Sequence, residues 1–252
     1  MLAVVSLGPT ACVDPEIDSE HGYIGPGESS VSLGVTFRAL SNGSLGATRS
    51  QKGDLIGTIG DVFVAWYTED GALAGSDYLP RDRMDVTDVE RPGSATELRT
   101  QHAEFQCRIP YGRYRIYAVA NMGDLSADAT LAARIGREED LRSIVQEWVD
   151  DPVGDNCQMA GYFTPNDSGG TRGEAPLLTV DAPRQRLHAW IRRLVSKVTV
   201  SFDTTGLYEN VYIYIKSARI RNIPRSCTLL DANDGKRIAD PAKDVIFAGD
   251  TI

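Results

Sequence analysis

The sequence predicts an all-β sandwich or barrel, and three observations carry that prediction. Short runs rich in β-branched and aromatic residues recur along the chain, each bounded by Gly, Pro, Asn or Asp. One segment alone carries a helical period. The longest apolar stretch, Met1 to Leu7, is far short of the roughly 20 residues that cross a bilayer as a helix.

Composition sets the outer bounds. The chain has 252 residues, 42% hydrophobic and 24% charged, enough for one or two cores. Lys plus Arg is 26 against 35 for Asp plus Glu, a formal net charge of −9. Such a balance repels a phosphate backbone, so nucleic acid is not an expected partner.

The chain opens on MLAVVSLGPTAC, an apolar run followed by small residues and a cysteine. A thiol directly after small residues is what a lipoprotein signal needs, since the diacylglycerol is attached to that sulfur; Cys12 is the expected lipidation site. The pattern departs from the usual one at Pro9, where Leu is common, and it lacks a basic start. The alternative is a buried N-terminal strand with an incidental Cys. The acidic, Pro/Gly/Ser-rich stretch VDPEIDSEHGYIGPGESS that follows reads as a tether.

Val31, Leu33, Val35 and Phe37 alternate with Ser32, Gly34, Thr36 and Arg38, the mark of a half-buried first strand. The polar loop SNGSLGATRSQKGD comes next, and then VFVAWY (62–67), a strand stopped by a turn at Asp70-Gly71. Further strands are expected at 104–109, 114–120, 158–163, 176–180 and 211–220. In REEDLRSIVQEW, Leu141, Ile144, Val145 and Trp148 fall on one helical face; Glu138 and Glu139 suit its first turn, and Asp151-Pro152 ends it.

In LHAWIRRLVSKVTVSF, Leu187, Ala189 and Ile191 share one strand face, while from Leu194 the apolar phase moves to even positions. That shift predicts a β-bulge or short break at Arg192-Arg193. Arg193 and Lys197 would then point away from the core, as soluble strand cations.

Residues suited to chemistry are scattered. His21, His102 and His188 have no Cys or carboxylate at metal-ligand spacing. DANDG (231–235) is similar to the start of a calcium loop, but its spacing is wrong and no Glu closes it. Nucleophile elbows and phosphate loops are absent from the sequence. No enzyme activity, catalytic residue, metal or cofactor is expected. Beside Cys12, three cysteines remain, Cys107, Cys157 and Cys227, so at most one pair could form among them.

Several stretches converge on one family. SSVSLGVTFRALSNGSLGATRS, DVFVAWYTEDGALAGS, YGRYRIYAVANMGDL, QMAGYF, LHAWIRRLVSKVTVSF and VYIYIKSARIRNIP together resemble, in order and spacing, the N-terminal half of fimbrillins, the subunits of type V pili of Bacteroidales. The resemblance covers residues 29–225. It implies a transthyretin-like Greek-key β-sandwich, here with one short packed helix. It also implies export as an outer-membrane lipoprotein and removal of the first strand by an arginine-specific protease. Another subunit then inserts a strand into the gap. On this chain the displaced strand would be Val31, Leu33, Val35 and Phe37, and the cleavage site Arg49 in GATRSQKG, with Arg38 a less accessible second choice.

The organisation expected is a lipoprotein signal and tether (1–28), a fimbrillin-like domain (29–225), and the start of a second domain or a truncated segment (226–252). Family members carry a second sandwich, whereas this chain stops at IFAGDTI, which reads either as a fragment or as an anchor that never polymerises. The expected function is a structural pilus subunit or anchor at the cell outer membrane or in the extracellular fimbrium, with other subunits as partners. The runner-up is a surface glycan-binding lipoprotein. Against it, Trp66, Tyr114, Tyr117, Tyr212 and Tyr214 lie in strand patterns and Trp148 on the helix face, rather than on loops.

Overall fold

The alternation at 31–37 forms strand β1 (Glu28–Phe37), with Val31, Leu33, Val35 and Phe37 buried on one face. The computed structural model describes residues 24–37, 58–89, 100–147, 157–165, 174–194, 217–220, 226–231 and 245–248. VFVAWY lies in β2 (Asp61–Tyr67), which turns into β3 (Leu73–Pro80). The turn expected at Asp70-Gly71 is present, closed by the Gly71 amide donating to the Thr68 carbonyl, with Gly71 at φ 78°. A 3-10 turn, Arg81–Arg83, leads to β4 (Asp85–Val89). Neither β3 nor β4 was expected, because LAGSDYLP and DVTDV carry little apolar alternation.

The chain continues through β5 (Thr100–Pro110), β6 (Gly112–Ala120), β7 (Val145–Glu147), β8 (Met159–Thr164), β9 (Leu178–Val180) and β10 (Arg184–Arg193). β11 (Ser217–Ile220), β12 (Ser226–Thr228) and β13 (Val245–Ala248) complete the described strands. Nine of the strands form one curled sheet in the order β3-β2-β6-β8-β10-β1-β5-β4, with β9 also on β6. β11 pairs with β13, and β12 with β7, as separate ribbons. The all-β sandwich expectation holds.

Two cores explain the sequence patterns. The first fills the inside of the curl, with side chains from β1, β2, β3, β5, β6, β8, β9 and β10. The second covers the outer face of β2, β6 and β8, with Phe63, Ala65, Tyr67, Tyr117, Val119, Ala160 and Tyr162 packed under Leu125, Ile135, Leu141, Ile144, Leu229 and Leu230, and with Leu73 and Tyr78 of β3 at its margin. Buried on both faces, β2 reads as a continuous apolar run; covered on one face, β1 alternates.

The expected helix is shorter than its periodicity suggested. Among the described residues two short helices are present, α1 (Ala129–Ala132) and α2 (Glu138–Arg142), where one packed helix was expected. Leu141 and Ile144 are buried as the helical face requires. Val145, however, starts β7 and pairs with Thr228, because three residues of strand pairing with β12 compete with one more helical turn. Trp148, Asp151 and Pro152 lie outside the described residues.

Of the two causes expected for the phase change near Arg192, a bulge or a short break, the bulge is not seen. The β10–β8 register runs from His188↔Thr164 to Arg193↔Met159 without a shift, so no residue is inserted there. Leu194 packs on the second core, whereas Ile191 packs in the first. The covered face changes where β10 ends, at Arg193, and the residues directly after Leu194 lie outside the described ones. Arg193 therefore stays on the core side, its guanidinium 5.0 Å from the Phe37 ring centre, and does not point away. Lys197 lies outside the described residues.

Candidate functional site

β1 occupies the middle of the curl, paired on both edges. Toward β5 it runs antiparallel, from Glu28↔Pro110 to Thr36↔His102; toward β10 it runs parallel, from Ser30↔Arg184 to Phe37↔Ile191. Both neighbours turn their buried faces the same way, bringing Phe105, Cys107 and Ile109 of β5 and Leu187, Ala189 and Ile191 of β10 against Val31, Leu33, Val35 and Phe37. All four residues expected on the first strand thus stand in one core. Full burial of such a side chain is worth roughly 1.5–3 kcal/mol. Four of them are comparable with the net stability of about 5–15 kcal/mol of an ordinary domain.

The ends of the strand are stitched separately. The Ser30 amide donates to the Pro183 carbonyl at 3.0 Å, and the Tyr111 amide to Gly27 at 2.8 Å. At the other end Arg193 closes over Phe37.

The outer face of the same three strands is polar. Ser30 donates to Gln106 at 2.9 Å, Arg108 pairs with Glu28 at 3.5 Å, and Arg186 pairs with Glu104. Near the Phe37 end, Thr36 Oγ1 is 2.8 Å from Nδ1 of His102 on β5 and 2.8 Å from Nε2 of His188 on β10. The two rings stack, 6.1 Å apart and 15° from parallel, and the Trp190 ring meets His188 edge-on at 5.0 Å. Gly34 lies in the notch between the rings: a Cβ there would be 3.1 Å from His102 and 3.3 Å from His188. Sequence reasoning set these histidines apart, and no local signal joins them; only the pairing of β5 and β10 with β1 does so.

Other candidates fall elsewhere. Cys12 and Arg49 lie outside the described residues, as does Arg38. Cys107 faces the first core, its thiol 3.6 Å from Asp77 Oδ2, and burial, reinforced by that carboxylate, keeps it protonated. Cys227 carries a free thiol near the Leu194 carbonyl, its pKa also raised by burial. Cys157 is buried, and its carbonyl accepts from Asn121 at 2.7 Å. Among the described residues no group of three or more His, Cys, Asp or Glu is placed to hold a metal. The positions 232–235 of DANDG are outside the description, while Asp231 pairs with Arg142 at 2.9 Å.

No protein-family model matches the chain. No curated protein matches it either. Among solved structures, a fimbrial assembly protein from Parabacteroides distasonis is similar at TM-score 0.47 and 11% identity, over 88% of this chain and 73% of that one. The tip fimbrial protein Mfa3 from Porphyromonas gingivalis, with a C-terminal truncation, aligns at TM-score 0.35 and 14% identity, over 66% and 48%. A candidate cell adhesion protein from Parabacteroides distasonis aligns at TM-score 0.45 and 12% identity, over 89% and 65%. The chain thus spans about half to three quarters of the solved structures it matches. At these scores the likeness carries no argument about function.

Proposed function

We propose that the chain is a structural subunit or anchor of a cell-surface pilus whose assembly exchanges the first strand. The placement of β1 carries this reading. A strand paired on both edges, with its apolar side chains in the central core, leaves a defined vacancy when it departs: two open ladders, β5 and β10, above an apolar floor. Only another extended segment of matching alternation satisfies both the hydrogen bonds and the floor. The partners in this reading are other subunits inserting a strand, and the outer membrane through a lipid on Cys12. Arg49 is the bond cut to release β1. The role is mechanical, without catalysis, cofactor or nucleic acid.

The experiment is thermal unfolding of protein cleaved at Arg49 and stripped of β1, alone and with synthetic peptides. The stripped protein is expected to melt well below the intact one. A peptide with the β1 alternation restores stability, and one with its apolar positions shifted by a single residue does not, because the slip turns the apolar face to solvent. Equal melting of stripped and intact protein, or equal rescue by both peptides, overturns the reading. Two further measurements check the processing steps. Labelling with a palmitate analogue is expected to vanish in Cys12→Ala, and limited digestion with an arginine-specific protease is expected to leave Ser50 as the dominant new N-terminus.

A further inference from the structure

We infer that His102 and His188 form a proton-operated latch on β1, holding the strand at neutral pH and loosening it in mild acid. The inference deepens the strand-exchange reading and rests on it for its use; its operation rests on the side chains themselves. One histidine comes from each neighbour of β1, and both meet the single hydroxyl of Thr36 at 2.8 Å. With neutral rings, that hydroxyl donates its proton to one ring nitrogen and accepts an N–H from the other. The strand is thereby tied to both edges of its slot by one oxygen.

Protonation changes the balance. Each imidazolium presents N–H at both nitrogens, so with two charged rings Thr36 accepts twice and its own proton has no acceptor between them. The rings also carry like charges with centres 6.1 Å apart. The charged groups sharing this face are Glu104 on β5, Arg186 and Arg192 on β10, and Asp85 on β4, opposite Glu104, with Glu28, Arg108 and Arg184 farther off toward the start of β1. β1 contributes Gly34 and Thr36, and β8 contributes Thr164 opposite His188. Glu104 Oε1 is 3.8 Å from His102 Nε2 and also pairs with Arg186. The second proton meets the first across the hydroxyl.

When β1 and its neighbours separate, the rings part and the second proton binds unopposed. The open form therefore holds more protons than the closed one, and acid favours opening. Histidine as a residue type changes charge between about pH 5 and 8, which sets the window.

Hydrogen–deuterium exchange of the full chain, corrected for intrinsic rates, reads the latch directly. Between about pH 7.5 and about pH 5.5 the protection of a peptide covering Glu28–Phe37 is expected to fall about tenfold. A peptide covering Asp61–Tyr67 is the control and should hold within about twofold over the same range. In His102→Gln/His188→Gln the fall should disappear. An equal fall in variant and parent, or parallel loss from both peptides, overturns the latch. Should the double variant fail to fold, proton NMR of the unaltered chain decides. With the third histidine, His21, set aside, two titrations separated by coupling support the latch, and two independent simple titrations overturn it. Peptide rescue at neutral pH tests strand exchange separately, so failure of one leaves the other standing.

Discussion

Asn121 closes the run Tyr-Ala-Val-Ala-Asn with φ 63°, the left-handed region that Asn tolerates better than most side chains. Its amide donates to the carbonyls of Thr58 and Cys157 at 2.8 and 2.7 Å, while its oxygen accepts from Gly60 at 2.7 Å. One side chain thus fastens two chain segments to the end of β6. Asn121→Ala loses these bonds and strains the backbone, so it is expected to cost about 1–3 kcal/mol in urea unfolding. Asn121→Gly, free of the backbone strain, should cost less.

Tyr67 and Tyr117 answer to pH. Burial raises both phenol pKa values above the ordinary 10.0, helped for Tyr117 by its hydrogen bond to Glu138 and for Tyr67 by the charges of Glu138 and Asp140. The unfolded chain releases these protons near the ordinary value, where the folded chain still holds them. Their contribution is complete below about pH 10 and is lost as the pH climbs further. The melting temperature should therefore fall in alkali, and the fall should be shallower in Tyr117→Phe; an identical slope in that variant counts against the assignment.

At the scale of elements, β8 and β10 approach so closely that a Cβ at Gly161 would overlap the Trp190 carbonyl. Gly161→Ala must push backbone against backbone, at an expected cost of about 1–3 kcal/mol. Gly136, with nothing within 4 Å of an added Cβ, is the control, and Gly136→Ala should stay within about 0.5 kcal/mol. The 226–231 segment makes a second test. Leu229 and Leu230 plug the outer core, their amides donating to Ile144 and Arg142 at 2.9 and 3.1 Å. Denaturant curves should show Leu229→Ala costing about 2–5 kcal/mol. Loss of the half-exposed Arg142–Asp231 pair in Asp231→Ala should cost no more than about 1 kcal/mol.

Over the whole molecule, β2, β6 and β8 belong to both cores, so neither core melts without disturbing their shared strands. Leu33→Ala inside the curl and Leu229→Ala outside it should shift one common transition, seen alike by circular dichroism and tryptophan fluorescence. Being on opposite faces, their costs should add within about 0.5 kcal/mol. Separate transitions for the two probes would show the 226–231 segment to be energetically independent of the sheet.

Much of the local pattern was legible in the residues. Period two marked β1 and β10 as strands and told which side of β1 is buried, because alternation follows from backbone geometry wherever only one face is covered. The helical period likewise singled out Leu141 and Ile144, whose burial survives the shortening of their helix. Periodicity says nothing, however, about which strand lies alongside. Strand pairing is non-local, so only the tertiary structure decided that β1 lies between β5 and β10, parallel to one and antiparallel to the other. The same non-local pairing drew Val145 out of its helix and made strands of 73–80 and 85–89, whose side chains alone do not ask for it. It also brought His102 and His188 from distant parts of the chain onto one hydroxyl of the strand between them.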